Sequence, residues 1–387
     1  MKILLSLAAR CLSSLLIVTP LAAFAAADLG RIFALAPASA GDGVLVASKE
    51  GLHLAQADGQ LSLWAKRDGG FVALAADPGN VEMLYASGRS GGLLRSEDGG
   101  RTWQQASQGG PDSFALLAVS PLEPERLYGV ADGVYASSDG GRSWTRRGDA
   151  PDKLMNIAVS PSGRLYAGTE EGLRVSADGG ASWRPASMLR IPVTMFSAET
   201  DGTLYSFQWG QGLLKAREPE LSWTPLANTF GGQAMLVMAR NGTRLFGASH
   251  IGRLFVSSDD GRSWQAINGA RGPQSAAEKR GEKLFAANCQ SCHGAAGIGE
   301  APQFGQPLQG LAPALDDTAH AWHHSDQQLQ NTILKGSPAP NSRMLAFEGR
   351  LSRRDAEDLV AYMKSLWNER ALRCQGAKHM DPGCMAH

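Results

Sequence analysis

Tryptophan recurs along the first two-thirds of this chain at a nearly constant interval, and no other feature limits the fold so strongly. The residues are Trp64, Trp103, Trp144, Trp183, Trp223 and Trp264, separated by 39, 41, 39, 40 and 41 positions. Ser96-Glu97-Asp98-Gly99-Gly100-Arg101-Thr102-Trp103 returns in near-copy at Ser137–Trp144, Ser176–Trp183 and Ser257–Trp264, while Trp64 and Trp223 sit in eroded versions. Ahead of the copies come pairs of short strand-like runs, such as 114–119 with 126–130 and 156–159 with 164–168. A period near 40 holding about four short strands is that of a β-propeller blade. One such unit cannot bury both faces, so the units must pack radially and close into a ring. Six of them fit between residues 29 and 267. The 46 glycines among 387 residues suit a chain that turns this often.

The S-x-D-x-G-x-[ST]-W stretch resembles the Asp-box of sialidase-type and related propellers. The resemblance implies that the Asp and Ser/Thr side chains bond the backbone of a hairpin turn, that glycine takes the turn's positive φ, and that Trp packs between blades. Those roles are structural. The sialidase family also carries an Arg-Ile-Pro motif ahead of its boxes, three carboxylate-binding arginines and a Tyr/Glu pair. Here Arg190-Ile191-Pro192 follows three boxes, and Tyr85, Tyr128, Tyr135, Tyr166 and Tyr205 fall mostly in strand text. No catalytic residue is assigned.

After 268–274, which reads as a linker, the periodicity becomes helical. Ser275-Ala276-Ala277-Glu278 and Ser352-Arg353-Arg354-Asp355 have the form of capping boxes. Ser325-Asp326 marks the start of a middle helix to Leu334. Leu359, Met363, Leu366 and Trp367 make an amphipathic stripe after the last cap. Between them lies Cys289-Gln290-Ser291-Cys292-His293, the C-x-x-C-H spacing of covalent c-type haem attachment. Two thiols three positions apart reach the two vinyl groups of one porphyrin, and the adjacent histidine presents its imidazole to the iron. A zinc site would want a second Cys/His pair at ligand spacing. The remaining cysteines beyond the leader, Cys374 and Cys384, are far away.

Residues 275–370 resemble a class I cytochrome c: Gly281 and Phe285 precede Cys289-x-x-Cys292-His293-Gly294, a Met344 loop follows, and Leu359-Val360-Ala361-Tyr362 lies on the closing helix. The resemblance implies a first and last helix that cross at Gly281, His293 as proximal iron ligand and a methionine as distal one. Met344 is the expected methionine, because Met363 suits core packing and Met380 and Met385 lie beyond the last helix. Relatives often read Met-Pro-Ala-Phe where this chain has Met344-Leu345-Ala346-Phe347, which costs the loop rigidity. Ligation by His320, His323 or His324 is the alternative. Pro313 resembles the family proline whose neighbouring carbonyl fixes the proximal imidazole. A His/Met-ligated iron has no open position and exchanges single electrons. Arg343, Arg350, Arg353 and Arg354 either dock an acidic partner beside the haem or are ordinary solvated charge.

Residues 1–25 read as a secretory signal: Lys2 and Arg10, an apolar run from Leu12 to Ala22, then Ala23-Phe24-Ala25. Cys11 leaves with it, and no later run is long enough to span a bilayer. The expectation is a periplasmic or otherwise exported protein. In that compartment Cys374 and Cys384 form a disulfide. Alternatively these thiols, with Met380, Met385, His379 and His387, offer soft ligands to copper within the tail at 371–387. Charge is balanced at 37 basic against 37 acidic residues, which argues against nucleic acid as a partner. The reading is an exported electron carrier with one haem c, a redox partner protein, and a propeller that serves as docking platform for a protein or ligand. The alternatives are a propeller enzyme, either a sialidase-like glycosidase or a haem-coupled oxidoreductase, and a copper-handling protein.

Overall fold

The structure is a computed structural model and describes residues 29–384, apart from 30, 108, 228–229, 231–232, 251, 269–271, 301–309, 318, 340–341 and 382–383. The leader at 1–25, Cys11, Met385 and His387 therefore lie outside the described residues. Six four-stranded antiparallel sheets form the propeller, with blades at 34–66, 73–105, 116–148, 154–185, 193–227 and 235–266. Every blade takes its four strands from one continuous stretch, in sequence order. The first strand of each blade packs against the first strands of its two neighbours. Together these strands line a cavity of about 230 Å³. Leu35, Leu117, Ala158, Ala198 and Val237 are among its walls.

Among the described residues no strand is exchanged where the ring closes. Blade six instead meets blade one through Leu29, Ile32, Val44, Val46, Phe246 and Leu254, all buried in one cluster. The Asn241 amide donates to the Gly43 carbonyl at 2.7 Å and the Ala38 carbonyl at 3.1 Å, and Arg244 pairs with Asp42.

The repeated turns are hydrogen-bonded as their residues require. In blade two, Ser96 Oγ donates to Asp98 at 2.8 Å and accepts from the Gly100 amide. Asp98 accepts from the Thr102 amide and hydroxyl at 2.9 and 2.6 Å. Gly99 and Gly100 hold φ of 67° and 83°, where a side chain is disfavoured. The same bonds recur around Asp139, Asp178 and Asp259. Blade six departs from the pattern, because Asp260 stands where the other boxes have their first glycine, at φ 60°. Three side chains hold it there: the Tyr205 hydroxyl at 2.6 Å, Lys215 Nζ at 2.5 Å and Arg240 at 2.9 Å.

Tyr205 belongs to blade five, so this contact ties two blades. Tyr166 of blade four likewise donates to Glu218 of blade five at 2.7 Å. Tyr166 and Tyr205 are thus inter-blade ties, whereas the Tyr135 hydroxyl donates to Asp132 of its own blade at 2.8 Å.

These turns carry a pH prediction. The Thr102, Ser143 and Ser263 hydroxyls, aided by the backbone amides of the same residues, hold Asp98, Asp139 and Asp259 at about 2. An unfolded aspartate titrates near ~3.9. The folded values are depressed, so this stabilisation is complete above about pH 4 and is lost as pH falls through about 2. Thermal melts followed by far-UV circular dichroism should show a propeller Tm that drops steeply only in that window. The drop should be shallower in Asp139→Asn; an equally steep one would remove the turns as its cause.

In the helical part, α1 (Ala276–Asn288) and α4 (Arg353–Ser365) both begin at the expected capping boxes, on Ser275 with Glu278 and Ser352 with Asp355. α2 (Gln290–His293) is a single turn, and α3 (Asp326–Lys335) opens on Ser325 with Gln328. α5 (Glu369–Arg373) follows the last long helix. α1 and α4 cross at Gly281. A Cβ on Gly281 would sit 2.0 Å from the Asp358 carbonyl oxygen and 2.8 Å from Tyr362 Cβ. Arg280 fixes the same crossing with two bonds of 2.7 Å to the Asp358 carboxylate. Phe285, Trp322, Leu359, Tyr362, Met363 and Trp367 form the core.

Cys374 and Cys384 are joined by a disulfide buried in the helical core. Arg370, stacked over Trp322, donates to the Cys384 carbonyl at 2.7 Å. Residues on both sides of 269–271 are hydrogen-bonded. Asn268 bonds the Gly252 carbonyl and the Leu254 amide of blade six, and the Gly272 amide donates to the Ser365 carbonyl at 3.0 Å.

Candidate functional site

α1 delivers the two thiols. The Cys289 amide donates to Phe285 O as α1 ends, and the His293 amide donates to Cys289 O across α2, both at 2.9 Å. Cys289, Cys292 and His293 thus share one short turn. Burial pushes the half-buried Cys289 thiol up to about 11, with the neighbouring Cys292 adding to the shift. Cys292 is exposed.

His293 is 8% exposed, and its Nδ1 lies 2.8 Å from the Pro313 carbonyl oxygen. A carbonyl only accepts, so Nδ1 carries the proton and Nε2 keeps the lone pair. Burial lowers the imidazole's pKa, against the opposing pull of the Pro313 carbonyl and the Glu300 charge. The side chain is a neutral imidazole with a fixed tautomer, the form that ligates a metal. The loop carrying Pro313 is pinned as well: the Leu315 amide donates to Gly297 O at 2.6 Å, and Trp367 Nε1 donates to Leu315 O at 2.9 Å.

Met344 is partly buried and packs against the helical core. Its loop is held despite Leu345, which stands 69% exposed where relatives have proline. The Phe347 amide donates to Ile333 O and Leu334 O of α3 at 3.2 and 3.1 Å. Arg343 pairs with Glu300 and donates to Gly310 O at 3.0 Å. Glu300 in turn accepts from the Ala312 amide at 3.0 Å. Glu300 and Arg343 therefore join the Met344 loop to the loop beside His293. Sequence reading missed Glu300, since an ion pair 43 positions apart leaves no local signal.

The other candidates fall elsewhere. His320 and His323 stack edge-to-face on the 3₁₀ turn His320–His323, with centroids 5.0 Å apart, and His324 follows as its exposed C-cap. The arginines are not a uniform docking patch: Arg343 is paired, Arg350 lies over Phe347 and Arg353 contacts Glu357 and Gln327. The disulfide engages both Cys374 and Cys384, so the copper alternative is not supported. Among the described residues no group of three or more His, Cys, Asp or Glu side chains could hold a metal ion. Arg190 of the Arg-Ile-Pro stretch is exposed on a loop.

The chemistry of the donor set fits a covalently mounted haem: paired thiols on one turn, a neutral imidazole with its outer proton engaged, and a half-buried thioether on a loop tied to the imidazole's own support. A helical domain with this turn, placed behind a six-bladed propeller, defines a c-type haem protein. Residues 278–367 match the family model for cytochrome c, so the helical part is a cytochrome c domain, whose family binds haem covalently.

Among solved structures the chain is similar to a GH74 xyloglucanase from Xanthomonas campestris, with 20% identity, a TM-score of 0.46, and 62% of this chain and 46% of that one covered. It is also similar to YCF48 from Cyanidioschyzon merolae, with 16% identity, a TM-score of 0.40, and 62% and 85% covered. The chain thus spans less than half the length of the xyloglucanase. No curated protein matches it. Among the described residues no helix is long and apolar enough to cross a membrane.

Proposed function

We propose that this protein is an exported one-electron carrier. Cys289 and Cys292 would hold the porphyrin through thioethers, and His293 and Met344 would ligate its iron. The observation that carries the reading is the buried His293, whose Nδ1 proton is committed to the Pro313 carbonyl. When bound, haem supplies a one-electron couple at its iron. The chain's own residues do the rest. Pro313 orients the imidazole, the loop tied through Arg343 and Glu300 presents the thioether, and the core around Trp367 excludes water from that side. The leader at 1–25 supports export, and a redox partner follows from the cytochrome c domain. The propeller is the docking platform, a reading supported by the structural character of the ties found among its described residues. Chain expressed with a c-type maturation system should retain one haem after denaturation, and reductive titration should take up one electron per chain. Cys289→Ser with Cys292→Ser should lose the covalent haem. Haem that washes off the native chain would sink the proposal.

A further inference from the structure

Arg343 directly precedes Met344, and its guanidinium reaches out of the methionine loop. It pairs with the Glu300 carboxylate, 43 positions earlier, and donates to the Gly310 carbonyl at 3.0 Å. Among the described residues the other bonds on this flank stay within the loop. The Met344 amide donates to Ser342 Oγ at 3.1 Å, the Ser342 amide to Ala339 O at 3.1 Å, and the Ser337 amide to Met344 O at 3.4 Å. Glu300 uses the same carboxylate oxygen, Oε2, to accept from the Ala312 amide at 3.0 Å, and its own amide donates to Ala312 O at 2.9 Å. Ala312 adjoins Pro313, whose carbonyl holds His293 Nδ1. One carboxylate oxygen thus stands between the Met344 loop and the support of the proximal imidazole.

We infer that Glu300 is a positioning residue which, acting through Arg343, keeps the Met344 thioether in ligating position and so denies the iron's sixth site to other molecules. This inference rests on the haem reading proposed above. Leu345 lacks the ring by which a proline fixes φ, so the loop depends on its flanks for rigidity. Phe347 supplies the later flank and Arg343 the earlier one. Without the Glu300 charge, Arg343 turns to solvent and the loop samples arrangements in which the sulfur has left. Each departure opens a site that an added nitrogen ligand can take. The apparent affinity for such a ligand scales with the open fraction, so its uptake measures the clasp directly. The glutamate side chain is 25% exposed and the arginine 55%. A pair this open to water is weak and screened by salt, so the expected change is several-fold rather than orders of magnitude.

The test is titration of the full, matured ferric chain with neutral imidazole, followed by loss of the sulfur-to-iron charge-transfer band. Glu300→Gln keeps an acceptor for the Ala312 amide but removes the charge that Arg343 meets, and it should bind imidazole several-fold more tightly than the parent. Arg343→Gln should do the same, and the double variant should add little to either. Arg343→Lys, which keeps the charge, should recover most of the difference. Added salt should move the parent toward Glu300→Gln and leave that variant where it is. Hydrogen exchange at 342–347 should quicken in Glu300→Gln, independent of the iron's spectrum. Should Glu300→Gln not mature, the salt response of the parent and the contrast between Arg343→Gln and Arg343→Lys decide alone. Unchanged imidazole affinity in fully haem-loaded Glu300→Gln, or additive effects of the two single variants, overturn the inference. A haem-loaded parent that lacks the sulfur band overturns it together with the Met344 assignment. Failure of the haem reading would be seen separately, as a parent chain with no covalent haem.

Discussion

Gly281→Ala should unfold the cytochrome c domain at far lower denaturant than the parent while leaving the propeller standing. The added methyl carbon would lie 2.0 Å from a backbone oxygen of α4, a distance that no rotamer change relieves. α1 and α4 would have to separate. The same crossing carries the Arg280–Asp358 pair, and Phe285 packs on Tyr362 with ring centroids 5.2 Å apart. Asp358 is 6% exposed, so parting the helices strands a buried carboxylate as well as opening the core. Overpacking alone costs ~1–3 kcal/mol. With the broken ion pair we expect about 3–5 kcal/mol, at the extreme of single substitutions. Urea titration followed at the haem's Soret band and by the propeller's far-UV signal would separate the two units. An unchanged Soret midpoint would mean that the helices do not meet at this glycine.

Met344→Ala should convert a low-spin iron to one lacking its sulfur ligand. Axial ligands span roughly 0.8 V of haem potential, and the thioether belongs to the high end, so the midpoint should fall by a substantial part of that range. The reduced visible spectrum should lose its sharp low-spin bands. Two outcomes count against Met344. An unchanged spectrum would remove it as ligand, and a parent spectrum of bis-histidine type would transfer the role to His320, His323 or His324. The Met344 loop is bonded on both flanks, by Phe347 to α3 and by Arg343 to Glu300 and Gly310.

What the sequence showed was whatever is local or periodic. The tryptophan interval yields the six blades because each blade is continuous in the chain. The two capping boxes yield the starts of α1 and α4 because a cap is settled within four residues, and Ser325-Asp326 marked the start of α3, whose box with Gln328 the structure adds. Gly281 and the C-x-x-C-H turn were legible for the same reason. The contacts that join distant parts were not. Arg253 reaches Asp316 across 63 positions and Arg280 reaches Asp358 across 78, and neither arginine differs in its neighbourhood from a solvated one. The Cys374–Cys384 pairing was legible from the expected oxidising compartment, but its place in the helical core, with Cys374 fully buried, was not. The long-range bonds that hold the Met344 loop could not be seen either. Asp260 in a glycine position was equally unreadable, since its compensation comes from Tyr205, Lys215 and Arg240 on other strands.

The ring closes without sharing a strand, and this has a mechanical consequence. Everywhere else successive blades are joined by covalent chain, but among the described residues the last blade and the first are held by non-covalent contacts. A force applied across the molecule would therefore part the ring beside Asn241 and Asp42 before it peeled any single sheet. The haem-bearing domain hangs from the blade next to that joint, so it would move as one piece with the freed edge.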